Sequence, residues 1–229
     1  MLEGARPSPN IWRHPGTYEI ENRAFDRDGL VWSAIGQLTT WAGRDVLDIG
    51  CGTGFHLPHF AREARSVVGI EPHQDLAAIA RRRVRRLENI RVLEGLADAL
   101  PLDDASVDVA HARWAYFFGP GCEPGLTELG RVMRPGGTAV ILDNDPSRST
   151  FGGWFRAGFP DVDPAVVEGF WETRGWSRTR VLTAWDFETR EELESVVRIE
   201  LPPAVAEQAL AEQSGLRVDY AVNLWHRQF

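Results

Sequence analysis

The sequence contains two cysteines, Cys51 and Cys122, among 229 residues. So few cysteines exclude the disulfide scaffolds of small secreted domains. No run of about 18 apolar residues is present, so the sequence predicts no membrane-spanning helix. The first thirty residues carry many charges and no apolar segment, which argues against a secretory signal there. We therefore expect a cytoplasmic protein.

The chain also lacks an excess of positive charge. It has 25 basic residues against 33 acidic ones, a formal net charge of −8. A general nucleic-acid binder normally presents a basic surface, so that class is disfavoured. One basic run, at residues 81–86, falls on a predicted helix with an apolar stripe and is interpreted as a solvated helix face. The six histidines do not cluster with cysteines or carboxylates at ligand spacing, so no metal site is predicted.

The most informative stretch is V-L-D-I-G-C-G-T-G at residues 46–54. Apolar β-formers are followed at once by Gly50, Gly52 and Gly54, and residues 55–65 have a helical pattern. Glycines at a strand-to-helix turn adopt dihedral angles closed to other residues and let a ligand lie against bare backbone. The helix that follows offers unpaired N–H groups. The pattern predicts a nucleotide-type site, with an ordinary βα turn as the alternative.

The spacing of these glycines argues against two common phosphate-binding loops. A dinucleotide site reads G-x-G-x-x-G, whereas this loop places Phe55 where that pattern needs a small residue. A P-loop requires a lysine, and none follows. Asp48, just before the first glycine, suits a positively charged ligand better than a phosphate. The stretch resembles motif I of class I S-adenosylmethionine-dependent methyltransferases.

This resemblance implies S-adenosyl-L-methionine as the cofactor and indicates which residues contact it. In that family the glycine loop wraps the methionine and ribose end of the cofactor. The implied contacts in this loop are Asp48, Gly50, Cys51, Gly52 and Gly54.

A second predicted strand, residues 66–70, ends in Glu71 and Pro72. A carboxylate at the tip of this strand can accept hydrogen bonds from both hydroxyl groups of an unphosphorylated ribose. The resemblance implies this role for Glu71, with Pro72 beside it. A negative charge at the start of the next helix is the alternative interpretation, and both can hold at once.

Residues 95–102, G-L-A-D-A-L-P-L, follow a third predicted strand at residues 90–94. They resemble the adenine loop of the family, often written G-D-A-E-A-L-P-F. The resemblance implies adenine contacts from Leu96, from the Ala97 N–H and from Asp98. Leu96 departs from the pattern, which usually has a polar residue that bonds the adenine amino group. Leu96 would instead pack on the face of the ring.

The fourth predicted strand, residues 107–112, is followed by Arg113 and a run rich in aromatic residues at 114–118. Ligands of doubly wound sheets bind at the carboxyl ends of strands near the topological switch point, so this segment is the predicted transfer site. Aromatic faces would line an apolar cavity and attract the sulfonium cation. Arg113 is included among the expected cofactor contacts. Asp143, Asn144 and Asp145, after the fifth predicted strand, are also expected to face the cleft.

His111, Tyr116 and His56 are the candidate proton-handling groups. Tyr18, in a predicted N-terminal lid, is a candidate contact for the carboxylate end of the cofactor or for the substrate. Purely structural roles remain as alternatives. His111 could be a hydrogen-bonded histidine within a strand, Tyr18 a packed residue of the lid, and the aromatic run part of the hydrophobic core.

The order of the elements predicts an α/β fold. We expect a Rossmann-like doubly wound seven-stranded sheet, mostly parallel with an antiparallel C-terminal edge and helices on both faces. The closing antiparallel pair is what the resemblance implies. The predicted strands cover residues 46–49, 66–70, 90–94, 107–112, 138–142, 177–187 and 217–227. The predicted helices cover residues 17–41 with a break near 28–29, 55–65, a stretch from 73, 123–133, 151–159, 164–171, 189–199 and 203–213.

We expect one domain over residues 1–229. Residues 1–41 would form an N-terminal arm and helical lid, with 1–16 as a flexible start. Residues 42–146 would form the cofactor-binding core, and residues 147–229 the lid helices and closing strands. The R-P-G-G run at residues 134–137 resembles a structural unit of the family, in which proline stops a helix and the glycines turn the chain.

The resemblance implies methyl transfer to a small-molecule acceptor, and the aromatic segment indicates an apolar or aromatic one. The alternative is a non-catalytic protein on the same fold that binds S-adenosylmethionine or S-adenosylhomocysteine as a sensor or scaffold. A nucleotide-dependent oxidoreductase is disfavoured by Phe55. We expect no nucleic-acid partner, no membrane span, and a monomer or homodimer.

We expect Glu71→Ala to weaken cofactor binding by about 1–3 kcal/mol, the usual cost of unmade hydrogen bonds to a charged group. Isothermal titration calorimetry measures this change. Unchanged affinity would remove Glu71 from the site.

Overall fold

The computed structural model describes residues 2, 5, 7–116 and 119–229. The expected cavity contributions of Phe117 and Phe118 therefore lie outside the described residues. The strands are β1 (Asp45–Ile49), β2 (Ser66–Glu71), β3 (Ile90–Glu94), β4 (Val107–Arg113), β5 (Met133–Asn144), β6 (Ser177–Asp186) and β7 (Arg217–Gln228). Within the described chain they form a seven-stranded sheet of order β3-β2-β1-β4-β5-β7-β6.

The sheet reverses direction at its first strand. From β1 the chain moves outward to β2 and β3, then returns to β4 on the other side of β1. All of these pairs, and β4 with β5, are parallel. The last two strands add an antiparallel edge. The predicted fold class is confirmed, and the carboxyl ends of β1 and β4 mark the topological switch point.

Helices cover both faces of the sheet. Alternate strand residues point to opposite faces, so Val46 and its neighbour Leu47 belong to different apolar clusters. Helices α6 (Glu123–Val132) and α8 (Pro164–Glu172) pack on the Leu47 face. The helices are α1 (Pro9–Arg13), α2 (Pro15–Ala24), α3 (Leu30–Leu38), α4 (Leu57–Ala61), α5 (Gln74–Val84), α6 (Glu123–Val132), α7 (Thr150–Gly158), α8 (Pro164–Glu172), α9 (Arg190–Glu200) and α10 (Pro203–Glu212). None of the helices in the described chain has the length and apolar character needed to cross a bilayer.

The N-terminal segment is more structured than its sequence predicts. Residues 1–16 were expected to be a flexible arm, but Pro9 and Pro15 each begin a helix. Proline suits the first helical position because its fixed φ is already helical and its missing N–H would be unpaired there. The predicted break near residues 28–29 is present, since α2 ends at Ala24 and Gly29 precedes α3 with φ of 70°.

The R-P-G-G run at residues 134–137 lies within β5, whereas the sequence predicts it before that strand. Helix α6 ends at Val132 and β5 begins at Met133, five residues before the predicted start at 138. The β4–β5 register shifts here, so residues 134–137 bulge from the sheet. Arg134 Nη1 lies 2.8 Å from Asp45 Oδ2 and 2.9 Å from Asp108 Oδ1. This ion pairing joins the amino ends of the central strands, at the edge opposite the switch point.

Asp143, near the end of β5, does not face the cleft as expected. Its side chain is fully buried, and neither carboxylate oxygen has a hydrogen-bond partner among the described residues. Burial raises the pKa of Asp143 to about 8. The carboxyl group is therefore held protonated over most of the neutral range.

We expect the free energy of unfolding of the wild-type chain to fall relative to that of Asp143→Asn as the pH rises from 5 to 8. The unfolded chain releases this proton near its ordinary pKa of 3.8, while the folded chain keeps it to about 8, so rising pH favours unfolding. One pKa unit corresponds to about 1.4 kcal/mol, so the difference should change by about 4 kcal/mol between pH 5 and pH 8. Urea denaturation at each pH measures it, with the exposed Asp161→Asn as control. Parallel pH profiles would show that Asp143 does not titrate in this window.

Candidate functional site

The glycine loop lies at the switch point, against the end of β2. The N–H groups of Gly50 and Cys51 both donate to the Ile70 carbonyl, at 2.8 and 3.0 Å. Gly52 has φ of 56°, and a Cβ placed on it would lie 2.8 Å from the Ile11 side chain. A side chain at this position would be strained and would clash with α1. The loop therefore keeps bare backbone facing the space beneath α1.

Glu71 ends β2 beside this loop. Its carboxylate accepts hydrogen bonds from the backbone N–H of Gly52 and of His73, both at 2.9 Å. The residue is 4% exposed. Burial raises the pKa of Glu71 to about 7, although the two N–H donors oppose that shift. Its ionisation state therefore changes close to neutral pH.

A cavity of about 190 Å³ extends from the glycine loop and Glu71 to the N-terminal helices. Its floor is the carboxyl edge of β1, β2 and β4, and α1 and α2 form its roof through Ile11, Trp12, Tyr18 and Asn22. Other lining residues are Asp48, Thr53, Phe55, His56, Gly95, Leu96, Ala97, Asp98, Arg113, Trp114, Ala115, Tyr116 and Gly125.

The roof is fastened to the loop by three polar side chains, which we term the α2 latch. Thr53 Oγ1 of the loop donates to Glu19 of α2. Arg83 of α5 donates to Glu19 Oε2 at 2.7 Å and to Thr53 Oγ1 at 3.3 Å. Because Glu19 and Arg83 are half-buried, this pair is less screened than a fully exposed one. The latch holds α2 over the cavity.

Two charged side chains of opposite sign line the cavity at the ends of β1 and β4. Asp48 is 3% exposed and accepts a hydrogen bond from His111 Nδ1 at 2.7 Å. Arg113 lies between the rings of Phe25 and Trp114, with its guanidinium carbon 4.7 and 5.0 Å from their centroids.

His56 faces the same charged end of the cavity. Arg113 Nη1 donates to its Nε2 atom. Burial, reinforced by the positive charge of Arg113, holds the pKa of His56 well below its ordinary value. His56 is thus a neutral imidazole whose acceptor nitrogen is already engaged.

Trp114 has an unusual backbone conformation at the end of β4. Its φ is 48°, a left-handed value that costs a bulky residue about 1–3 kcal/mol. Its indole N–H donates to Asn144 Oδ1 at 2.7 Å, and the Tyr220 hydroxyl donates to the same oxygen at 2.6 Å. These bonds hold the Trp114 ring at the cavity wall.

Residues 46–137 match a family described as a methyltransferase domain. A protein of Mycolicibacterium smegmatis named "Probable S-adenosylmethionine-dependent methyltransferase" is 35% identical over 158 residues, which cover 66% of this chain and 55% of the relative. The chain carries a class I S-adenosylmethionine-dependent methyltransferase domain. The cofactor of such a domain is S-adenosyl-L-methionine.

Further comparisons agree with this assignment. Methyltransferase GfsG of Streptomyces halstedii is 37% identical over 164 residues, 69% of this chain and 55% of the relative. The chain spans about half the length of these two relatives. The YcgJ protein of Bacillus subtilis has the same fold, with a TM-score of 0.63 at 17% identity over 87% of this chain and 97% of that one.

The methyltransferase domain brings nearly all of the predicted cofactor contacts to one cavity. Those that line it are Asp48, Gly50, Cys51, Gly52, Glu71, Pro72, Leu96, Ala97, Asp98, Arg113 and Tyr18. Gly54 does not line it. A Cβ placed on Gly54 would meet Ala80 of α5 at 2.9 Å, so this glycine permits close packing of the loop on that helix.

The three candidate proton-handling residues are placed differently. His56 and Tyr116 line the cavity, whereas His111 does not. Tyr116 is 2% exposed and its hydroxyl is 3.5 Å from the Gly125 carbonyl. Burial raises the pKa of Tyr116 far above its ordinary value, so the phenolate is disfavoured. His56 and Tyr116 are therefore weak bases in this arrangement, and His111 does not line the cavity.

Several lining residues were not singled out from the sequence. Ile11, Trp12 and Asn22 enter through the N-terminal helices, and Thr53 through the latch. The signal for α1 was present as Ser8-Pro9, a start site followed by apolar residues. Trp12 also contacts the His73 ring, with centroids 5.1 Å apart.

We expect the affinity of the domain for S-adenosylhomocysteine to rise about tenfold from pH 6 to pH 8. Ribose hydroxyls donate to a carboxylate, and Glu71 with a pKa of about 7 is mostly protonated at the lower pH. Calorimetry at both pH values measures the change, and Glu71→Gln should bind more weakly with a flat profile. An equally steep profile in Glu71→Gln would assign the pH dependence to another group.

Proposed function

We propose that the protein transfers the methyl group of S-adenosylmethionine to a small apolar or aromatic acceptor. The observation that supports this is the composition of the cavity described above. One part of it presents the glycine loop and Glu71, which suit an adenosyl ligand, and another presents the rings of Trp12, Tyr18, Trp114 and Tyr116. Apolar walls favour an acceptor of the same character.

The charges of the cavity suit this cofactor. Glu71 would accept the ribose hydroxyls, while Asp48 and Arg113 would face the ammonium and carboxylate of the methionine end. Ala97 and Leu96 would contact the adenine. The cofactor supplies an already activated methyl group, so this chain's residues have only to align the acceptor with it and to exclude water. The weak basicity of His56 and Tyr116, the two candidates that line the cavity, fits an acceptor that needs little deprotonation.

Relatives support a small-molecule acceptor. A protein of Tropheryma whipplei named demethylmenaquinone methyltransferase is 31% identical over 158 residues, 64% of this chain and 65% of the relative. Its name describes a small acceptor for that protein, and we extend only this general class to the present chain.

Incubation with methyl-labelled cofactor and a panel of phenols, quinols, amines and aliphatic acids tests the proposal. We expect label to move to an aromatic or apolar member. Gly52→Val should abolish transfer because its side chain would clash with Ile11, whereas Gly153→Ala, which meets no neighbour, should not. Cofactor binding without transfer to any acceptor would favour the sensor or scaffold alternative. Absence of cofactor binding would refute both.

A further inference from the structure

Asp48 and Arg113 share an unusual electrostatic situation. Both line the cavity, one acidic and one basic, and the side chain bonded to each of them is a histidine. Within the described residues, no arginine lies within 4.0 Å of the Asp48 carboxylate and no carboxylate lies that close to the Arg113 guanidinium. A charge shielded from water without a counter-ion is unfavourable, so these groups are poised for a charged ligand.

Each of the two charges is instead bonded to a histidine. His111 lies beside Asp48 because β4 pairs in parallel with β1 and the two residues are register partners. Its Nδ1 atom is 2.7 Å from Asp48 Oδ1. His56 follows the glycine loop and receives Arg113 Nη1 at its Nε2 atom. Each charged side chain therefore has its own histidine hydrogen-bond partner.

The chemistry of the partners gives the two rings opposite hydrogen-bonding roles, although the proton lies on Nδ1 in both. A carboxylate only accepts, so the proton of His111 lies on Nδ1. A guanidinium only donates, so Nε2 of His56 carries no proton and its Nδ1 does. His111 thus donates to the acidic side chain and His56 accepts from the basic one, so each ring can orient its partner.

Aromatic packing holds both rings in place. His111 lies 5.9 Å from the Trp32 ring and 5.2 Å from Phe60, centroid to centroid. His56 lies 5.5 Å from the same Trp32 ring and 5.0 Å from Phe55. The cluster restrains the rotamers of both histidines and, through them, the directions of the two charges.

We propose that His111 and His56 are positioning residues that orient Asp48 and Arg113 to clamp an amino-acid zwitterion. The inference rests on the proposed function, since that zwitterion is the methionine end of the cofactor. The ammonium contacts Asp48 and the carboxylate contacts Arg113. Adenosine recognition by Glu71 and the adenine loop is independent of this clamp.

Two ligands separate the clamp from the rest of the site. S-adenosylhomocysteine carries the zwitterion, whereas 5′-methylthioadenosine has the same adenosine and thioether without it. By calorimetry, His111→Leu and His56→Leu should each weaken S-adenosylhomocysteine binding at least tenfold and change 5′-methylthioadenosine binding less than twofold. His111→Asn keeps a donor near the Nδ1 position and His56→Gln keeps an acceptor near the Nε2 position, so these variants should recover most of the affinity.

His59→Leu is the matched control. His59 stacks on Trp32 at 4.0 Å in the same cluster but bonds neither charge, so its loss should leave both affinities unchanged. A purely structural role for His111 and His56 would weaken both ligands together, and that result would overturn the inference. Unchanged affinity for S-adenosylhomocysteine in both leucine variants would overturn it as well.

A third ligand divides the clamp into its two halves. An adenosyl thioether that ends in a propylamine keeps the ammonium and lacks the carboxylate. His111→Leu should still weaken its binding, whereas His56→Leu should not. The reverse result would overturn the assignment of the two charges. If the wild-type chain bound none of the three nucleosides, the proposed function itself would fail. That outcome differs from a loss of affinity for all three nucleosides in the variants alone, which would refute only the clamp.

Discussion

The Ile70 carbonyl, which receives the N–H groups of both Gly50 and Cys51, is the contact on which the site depends. It folds the glycine loop back over β2 and so delivers the Gly52 N–H to the Glu71 carboxylate. The parallel register of β1 with β2 sets the position of that carbonyl. One backbone oxygen therefore couples the sheet topology to the relative position of two groups that face the ligand.

The parts of the site that follow from local sequence were predictable. The glycine loop, Glu71 and residues 95–98 each lie at the end of a strand with a clear apolar pattern, and their positions follow from the strand order. The antiparallel edge was also expected, because the closing segment matched the family pattern. In these places a short stretch of chain carries its own structural signal.

Other parts could not be read from local patterns. The contact between His111 and Asp48 depends on the register of two strands separated by 63 positions in sequence. Trp114 was visible as an aromatic residue, but its left-handed φ and the hydrogen bond from its indole N–H to Asn144 have no signal in the local sequence. Residues 1–16 were predicted to be a flexible arm because of their prolines, but Pro9 is the first residue of a helix. The first two features depend on tertiary contacts, whereas the Ser8-Pro9 helix start is a local signal that was overlooked.

The two ends of the central strands have different roles, one in stabilising the sheet and one in facing the ligand. Arg134 and the carboxylates of Asp45 and Asp108 join the amino ends of the central strands. The carboxyl ends carry the strained backbone of Trp114 and the two charged side chains Asp48 and Arg113. Fixing one edge with ion pairs leaves the other free to hold groups that are unfavourable without a ligand.

The α2 latch has a kinetic consequence. Glu19 bonds both the loop and α5, so α2 would have to break both contacts to move away from the cavity. Lid opening of this kind commonly sets the turnover of enzymes. The residence time of the product nucleoside would then follow the lifetime of the Glu19 contacts. Movement of α2, rather than the chemical step, would limit the turnover rate.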